Sequence, residues 1–295
     1  MQVATVAQWV AGARPRTLPN AISPVIAGTG AAIGAGASRP AAAALALLVA
    51  MALVIGVNFA NDYSDGVRGT DDDRTGPMRL VGSRAAEPSQ VRAVALAWLG
   101  TALVAGAALV LLSGHWWLLA VGAACLLAAW FYTGGKRPYG YLGLGEVAVF
   151  VFFGPVAVLG TAYTQSDGVS GLAIATSVGV GTLSAAVLVA NNLRDIDSDG
   201  PVGKRTLAVM LGDSATRRLY AALVAIPLLI SVVCAMFHWP MLLGLLAAVP
   251  AVSPVRAVLR GARGRDLIAV LGKTGLVMLV WSVLTAAGLI IARFV

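Results

Sequence analysis

Two segments of the chain carry the same pattern of polar residues, about 130 residues apart. Asn61 and Asp65 in the first segment align with Asn191 and Asp195 in the second, and each segment ends an apolar run. Residues four apart lie on one face of an α-helix, so each segment presents an amide and a carboxylate along one stripe. Carboxylates on facing helices suit Mg²⁺ that also holds a phosphate group. In so apolar a chain, the pattern predicts chemistry on a lipid-linked diphosphate.

The composition indicates an integral membrane protein. The 295 residues are 59% hydrophobic and only 12% charged, whereas an average soluble domain has about 25% charged residues. We predict an all-α fold, a polytopic bundle of about nine transmembrane helices that forms a single domain over residues 1–295. The predicted spans are 17–37, 41–61, 93–113, 115–134, 143–164, 169–190, 219–237, 240–256 and 272–292.

The basic residues predict the orientation of this bundle. Of the 21 Lys and Arg residues, only Arg39 and Arg293 fall outside the N-terminal segment and alternate loops. By the positive-inside rule, the N-terminus, the motif-bearing loops and the mouth of the active site face the cytoplasm, and the C-terminus lies outside. The net charge of +8 therefore reflects topology and contact with membrane lipid in a multi-pass cell-membrane protein, and no nucleic acid is expected as a partner.

The acidic residues argue against transport. All but Glu146, Asp167 and Asp266 of the 13 acidic residues lie in or beside the two large loops that carry the motifs, and the middle of each predicted span is uncharged. An ion-coupled transporter usually keeps an ionisable group near mid-membrane. Membrane phosphatidyltransferases also use Mg²⁺ and aspartates, but their Asp-Gly-x-x-Ala-Arg signature does not occur here.

A diphosphate needs positive charge around it. With roughly three negative charges, it binds beside aspartates only if divalent cations stand between them. Basic side chains near the two motifs are predicted to complete its binding site: Arg68, Arg74, Arg79, Lys136, Lys204 and Arg205. Lys136, with Arg137, is equally well explained as an ordinary positive-inside residue. Once the diphosphate is neutralised it becomes a leaving group, so an electron-rich ring can attack the allylic carbon.

These motifs resemble the UbiA superfamily of membrane-embedded aromatic prenyltransferases, over nearly the whole chain. The stretches 13–19, 132–135, 145–146 and 204–207 are similar to the branch that acts on 1,4-dihydroxy-2-naphthoate. The resemblance implies transfer of a polyprenyl chain from polyprenyl diphosphate to that ring with loss of CO₂, in menaquinone biosynthesis. The alternative is the same chemistry on 4-hydroxybenzoate or another aromatic acceptor.

The resemblance also implies roles for individual residues. The expected catalytic residues are Asn58, Asn61, Asp65, Asn191 and Asp195. The expected ligands of Mg²⁺, with two ions, are Asp62, Asp65, Asp71, Asp195 and Asp199. Gly69 stands where the first motif should have its last Asp, and either Asp62 or Asp71 replaces that ligand. Glu146 and Asn192 are expected to bind the acceptor, although Glu146 is also explained by an ion pair with Lys136, Arg137 or Arg194.

Overall fold

The computed structural model describes residues 4–69 and 78–295. In these residues every regular element is helical. We number the helices longer than four residues α1 (Val6–Ala13), α2 (Pro19–Gly34), α3 (Pro40–Arg68), α4 (Pro88–Ser113), α5 (Leu118–Phe131), α6 (Gly145–Ser166), α7 (Gly171–Arg194), α8 (Leu207–Leu211), α9 (Asp213–Ala235), α10 (Trp239–Leu259) and α11 (Arg265–Ile291).

Seven helices in the described part of the chain are long and apolar enough to cross a membrane: α3, α4, α6, α7, α9, α10 and α11. The predicted all-α membrane fold is therefore confirmed. The predicted spans 17–37 and 115–134 correspond to α2, with 16 residues, and α5, with 14. At 1.5 Å per residue these helices are about 24 Å and 21 Å long, shorter than a hydrocarbon core of about 30 Å. The count of nine spans stays a prediction.

Helices α7 and α11 form the centre of the bundle. The indole of Trp281 on α11 is fully buried and donates a hydrogen bond to Ser231 on α9 at 3.0 Å. A Cβ atom at Gly179 of α7 would lie 2.2 Å from this indole, so only glycine allows the two helices to approach so closely. Close approach at small residues is how helices gain packing energy in lipid, where no hydrophobic force drives them together.

Three connections meet at the end of the bundle remote from the paired motifs. The guanidinium of Arg39, which precedes α3, contacts both carboxylate oxygens of Asp167, at 3.0 and 2.5 Å. Nε2 of His115, between α4 and α5, lies 2.9 Å from the same carboxylate, and its ring lies 4.4 Å from the ring of Tyr163. This cluster joins the connections α2–α3, α4–α5 and α6–α7.

Candidate active site

The two motif-bearing helices, α3 and α7, line one large cavity of about 490 Å³. It is lined by all four amides predicted from the sequence, and much of its remaining wall is formed by apolar residues of α4, α5 and α6. The predicted site residues that line it are Asn58, Asn61, Asp65, Arg79, Asn191, Asn192 and Lys204. The predicted Asp71 and Arg74 lie outside the described residues.

Asp65 lines the polar end of this cavity from the last turns of α3. The hydroxyl of Tyr141 donates to its Oδ1 at 2.7 Å, and the guanidinium of Arg79 lies 3.5 Å from its Oδ2. The carboxylate and the guanidinium are both buried, with 7% and 8% of their side chains exposed. Burial of a charged pair is tolerated only when each partner also has hydrogen bonds, and Tyr141 supplies one of them.

The second motif places its carboxylates at the end of α7. Asp195 is the C-cap residue of the helix, and its carboxylate accepts two hydrogen bonds from Arg194, at 2.7 and 2.6 Å. A carboxylate at a helix C-terminus is unfavourable because of the helix dipole, and the adjacent guanidinium offsets this. One turn further on, Asp199 accepts a hydrogen bond from Lys204 at 3.2 Å. Arg194 and Lys204 both line the cavity, whereas Asp195 and Asp199, the carboxylates with which they pair, do not.

Asp62 points away from this site. Its Oδ2 accepts a hydrogen bond from the backbone N–H of Leu80 at 2.8 Å, and its Oδ1 accepts one from Val81 at 3.0 Å. The residue is 1% exposed and does not line the cavity. Asp62 therefore fixes the turn that carries Arg79, and the structure gives no support to its predicted role as a metal ligand. Helix geometry explains why Asp62 and Asp65 have different surroundings. Consecutive residues are rotated by about 100° around the helix axis, so Asp62 lies off the stripe that contains Asn61 and Asp65.

The two amides of α3 hold neighbouring segments in place. The Nδ2 group of Asn58 donates to the carbonyl of Ala13 at 3.0 Å and to the hydroxyl of Thr17 at 2.9 Å. The Oδ1 atom of Asn61 accepts a hydrogen bond from Thr133 at 2.7 Å. Both residues line the cavity, but Asn58, which was predicted to be catalytic, has its donors committed to the N-terminal turn. We therefore assign Asn58 a positioning role.

The predicted diphosphate-binding residues divide into two groups. Arg79 and Lys204 line the cavity, whereas the exposed side chains of Arg68, Lys136 and Arg205 do not. Arg68 instead donates to the backbone carbonyls of Thr133 and Gly135. Sequence analysis assigned no diphosphate or metal role to several residues that line the cavity, among them Arg194 and Tyr141. Arg194 was visible as the basic residue within the second motif, but no local pattern marks Tyr141.

Glu146 is buried near the base of α6. Its Oε1 atom accepts a hydrogen bond from the Nδ2 group of Asn192 at 2.8 Å, so its partner is an amide rather than Lys136, Arg137 or Arg194. Within the described structure, its Oε2 atom is buried without a hydrogen-bond partner. Two residues predicted to bind the acceptor are thus joined, and Asn192 lines the cavity.

The apolar walls of the cavity come partly from an irregular helix. From Phe152 to Leu159, α6 widens into π-helical turns around Pro155, which has no N–H to donate. Phe152, Phe153 and Val156 from this segment face the cavity. Opposite walls include Gly122 of α5, where an added Cβ atom would meet no atom within 4 Å.

The donor chemistry at the polar end fits Mg²⁺. The described residues contain no group of three or more acidic, His or Cys side chains close enough to hold a metal ion by themselves. However, Mg²⁺ that is shared with a phosphate substrate typically needs only one or two carboxylates, with substrate oxygens and water completing its coordination. Asp65, Asp195 and Asp199 supply oxygen donors. Each carboxylate is already paired with an Arg or Lys side chain. That basic side chain could pair with a phosphate group instead when a metal ion binds the carboxylate.

Comparison with known families decides the identity of the fold. The profile of the UbiA prenyltransferase family matches residues 21–283. The chain belongs to the UbiA prenyltransferase family. The chain is 56% identical to the 1,4-dihydroxy-2-naphthoate octaprenyltransferase of Mycobacterium tuberculosis over 287 residues, 97% of this chain and 98% of that protein. It is also 36% identical to the Escherichia coli enzyme of the same name, over 75% of this chain and 74% of the relative.

Solved structures share the UbiA fold. A UbiA homologue from Archaeoglobus fulgidus, bound to GPP and Mg²⁺, superposes with a TM-score of 0.67 at 15% identity, over 98% of this chain and 100% of that one. The apo structure of a homologue from Aeropyrum pernix gives a TM-score of 0.63 at 18% identity, over 92% of this chain and 97% of the homologue. At this identity the likeness establishes the fold alone.

Proposed function

We propose that this UbiA-family protein transfers a polyprenyl chain from polyprenyl diphosphate to 1,4-dihydroxy-2-naphthoate. Diphosphate and CO₂ leave, and the product is demethylmenaquinol, in menaquinone biosynthesis. One observation carries the proposal: residues of both motifs, Asn61 and Asp65 from the first and Asn191 from the second, line the polar end of a cavity whose other walls are apolar. Such a cavity suits a ligand with an anionic head and a long hydrocarbon tail. The relative that is 56% identical has the corresponding activity in its name.

The head group of the donor would bind at the polar end. Asp65, Asp195 and Asp199 would hold Mg²⁺, in our proposal two ions, which would neutralise the diphosphate and make it a better leaving group. Arg79, Arg194 and Lys204 are already paired with these carboxylates, at 3.5, 2.6 and 3.2 Å. We propose that they turn toward the phosphate oxygens when the donor binds. The predicted Asp71 and Arg74, which follow α3 in the sequence, would join them.

The apolar walls would take the prenyl tail and protect the allylic carbon. Exclusion of water prevents hydrolysis as positive charge develops at that carbon. The ring of the acceptor would then attack it, so that a C–C bond forms as the C–O bond to diphosphate breaks. Asn192, held by Glu146, would orient a ring hydroxyl at the polar end. Arg68, Lys136 and Arg205 would act at the entrance, where their charge attracts the anionic substrates.

We propose that the bundle lies in the cell membrane with its polar end toward the cytoplasm. The N-terminus and the loops that follow α3 and α7 would face the cytoplasm, and the C-terminus would lie outside. The positive-inside distribution of Lys and Arg supports this orientation. In this arrangement α2 and α5 cross the bilayer with the seven longer helices, giving nine spans.

Product formation in a defined membrane tests the proposal. Purified protein in nanodiscs would receive octaprenyl diphosphate, 1,4-dihydroxy-2-naphthoate and Mg²⁺, and products would be measured by mass spectrometry. We expect a prenylated, decarboxylated naphthoquinol that disappears with EDTA and returns with excess Mg²⁺. Undiminished product after exhaustive chelation would contradict the role of the metal, and absence of any prenylated naphthoquinol would contradict the reaction.

A further inference from the structure

The N-terminal turn between α1 and α2 has a fixed shape. Arg14 adopts a left-handed backbone conformation with φ of 53°, which is unusual for a residue other than glycine. The backbone N–H and the hydroxyl of Thr17 both donate to the carbonyl of Arg14, each at 2.8 Å. Asn58 of α3 donates to Ala13 and Thr17, on either side of the turn. Backbone strain of this kind persists only where surrounding contacts enforce it, often at functional sites.

This turn forms part of the cavity wall. Arg14 and Arg16 line the cavity, together with Thr17 and Asn20. Asn58, which anchors the turn, lies one helical turn before Asn61 and two before Asp65 on the same stripe of α3. The turn therefore adds two arginine residues to the lining of the cavity from an element that carries neither motif.

The basic residues that line the cavity also come from two different parts of the chain. Among the described residues, five basic side chains line the cavity: Arg14, Arg16, Arg79, Arg194 and Lys204. The last three belong to the motif-bearing segments or to the segments that follow them, and we assigned them above to the diphosphate, whereas Arg14 and Arg16 belong to the N-terminal turn. The proposed acceptor is also an anion, since its ring bears a carboxylate. A carboxylate that leaves water needs a cationic partner, and the planar guanidinium group matches its two oxygens.

We propose that Arg14 and Arg16 bind the carboxylate of the aromatic acceptor, and that Asn58 positions them. This inference rests on the proposed function and identifies the part of the site that recognises an aromatic acid. The ring would then lie between the turn and the motif-bearing stripe of α3. Because the product has lost the carboxylate, the turn binds the substrate more tightly than the product, which favours release of the product into the bilayer.

Binding of two ring compounds that differ by the carboxylate tests the proposal. Dissociation constants of 1-hydroxy-2-naphthoate and 1-naphthol would be measured by calorimetry on protein in nanodiscs, with Mg²⁺ and a non-hydrolysable prenyl thiolodiphosphate present. We expect Arg16→Gln to weaken binding of the naphthoate about tenfold, as for loss of a charge-assisted hydrogen bond. Binding of naphthol should not change. Arg16 is exposed, so this variant should fold normally.

Two further variants separate positioning from charge. Asn58→Asp keeps the size of the side chain but removes both donors to the turn, so it should weaken naphthoate binding and spare naphthol. Arg260→Gln, at an exposed residue that does not line the cavity, is the matched control and should change neither constant.

Specific outcomes would overturn the inference. Equal weakening of naphthoate and naphthol in Arg16→Gln and Arg14→Gln, or no change in either, would exclude carboxylate recognition by the turn. Weaker binding of the prenyl thiolodiphosphate with unchanged naphthoate binding would assign the turn to the diphosphate instead. The proposed function is judged separately, by turnover of 1,4-dihydroxy-2-naphthoate in the wild-type protein.

Discussion

The hydroxyl of Tyr141 donates a 2.7 Å hydrogen bond to Oδ1 of Asp65 across 76 residues of sequence. The ring of Tyr141 also lies 5.6 Å from the ammonium group of Lys204, and its carbonyl accepts a hydrogen bond from the N–H of Arg205. Tyr141 therefore connects the carboxylate of the first motif with the basic segment that follows the second. The two halves of the candidate site are held together by a residue that belongs to neither motif.

We expect Tyr141→Phe to lower kcat/KM for prenyl transfer roughly tenfold to hundredfold. The reason is that a hydrogen bond to a charged group contributes about 1.5–3 kcal/mol. Initial rates of product formation in nanodiscs provide the measurement. Tyr220→Phe removes a hydroxyl with a similar hydrogen bond, to Thr274 at 2.6 Å, but away from the cavity, and should keep normal kcat/KM. Similar losses in both variants would show that Tyr141 acts only on stability.

We expect Asp195→Asn to lose turnover and also stability. The carboxylate and its partner Arg194 are 2% and 1% exposed, and breaking a buried pair typically costs about 3–5 kcal/mol. Because the pair is buried, the loss of one partner should lower the free energy of unfolding as well as the rate of turnover. Activity and thermal unfolding of the same preparation would be measured together.

Asp213→Asn is the matched control for this prediction. Asp213 accepts two hydrogen bonds from Arg217, at 2.6 and 2.8 Å, but lies outside the cavity and is 37% exposed. It should lose less stability and retain turnover below its unfolding temperature. Near-normal turnover in Asp195→Asn would remove Asp195 from the proposed Mg²⁺ ligands.

Gly122 should control the length of prenyl chain that the cavity accepts. A leucine there would project into open space along the cavity wall, where we place the tail of the donor. We expect Gly122→Leu to reduce turnover of octaprenyl diphosphate while sparing geranyl diphosphate, with products compared by mass spectrometry. Gly100→Leu also adds a side chain in open space but does not line the cavity, so it should leave the ratio of the two rates unchanged. A uniform effect on both donors would contradict this placement of the tail.

The cluster at the far end of the bundle should make stability depend on pH. Hydrogen bonds from Arg39 and then His115 hold the pKa of Asp167 below its ordinary value of about 3.9. A lowered pKa in the folded state stabilises the protein above about pH 3.9, and this contribution is lost as the pH falls through the lowered pKa. The thermal midpoint of the wild type should exceed that of Asp167→Asn at pH 6, and the gap should narrow below pH 3.9. A constant gap would contradict this link.

Hydropathy and spacing predicted much of this architecture. Long apolar runs separated by charged loops predicted the helical membrane fold. The repeated spacing of Asn and Asp predicted a shared site for Asn61, Asp65 and Asn191, and all three line one cavity. Helical periodicity also explains why Asp62 does not share the surroundings of Asn61 and Asp65, because it lies off the face of α3 that carries them. The lengths of α2 and α5 were overestimated because apolar residues beside these helices lie in turns.

Contacts between distant segments could not be read from spacing. The hydrogen bonds of Tyr141 to Asp65 and of Asn58 to the N-terminal turn join segments that are 76 and 41–45 residues apart. The amide of Asn192 as the partner of Glu146 was also unforeseen, because charge alone favoured a basic residue. Such pairings depend on how the helices pack, which local periodicity does not determine.

A competition between two acceptors tests the central claim most directly. Wild-type protein in nanodiscs would receive octaprenyl diphosphate, Mg²⁺ and equimolar 1,4-dihydroxy-2-naphthoate and 4-hydroxybenzoate, with products resolved by mass spectrometry. We predict that the prenylated, decarboxylated naphthoquinol dominates. Prenylated 4-hydroxybenzoate as the main product would contradict the proposed acceptor and its place in menaquinone biosynthesis.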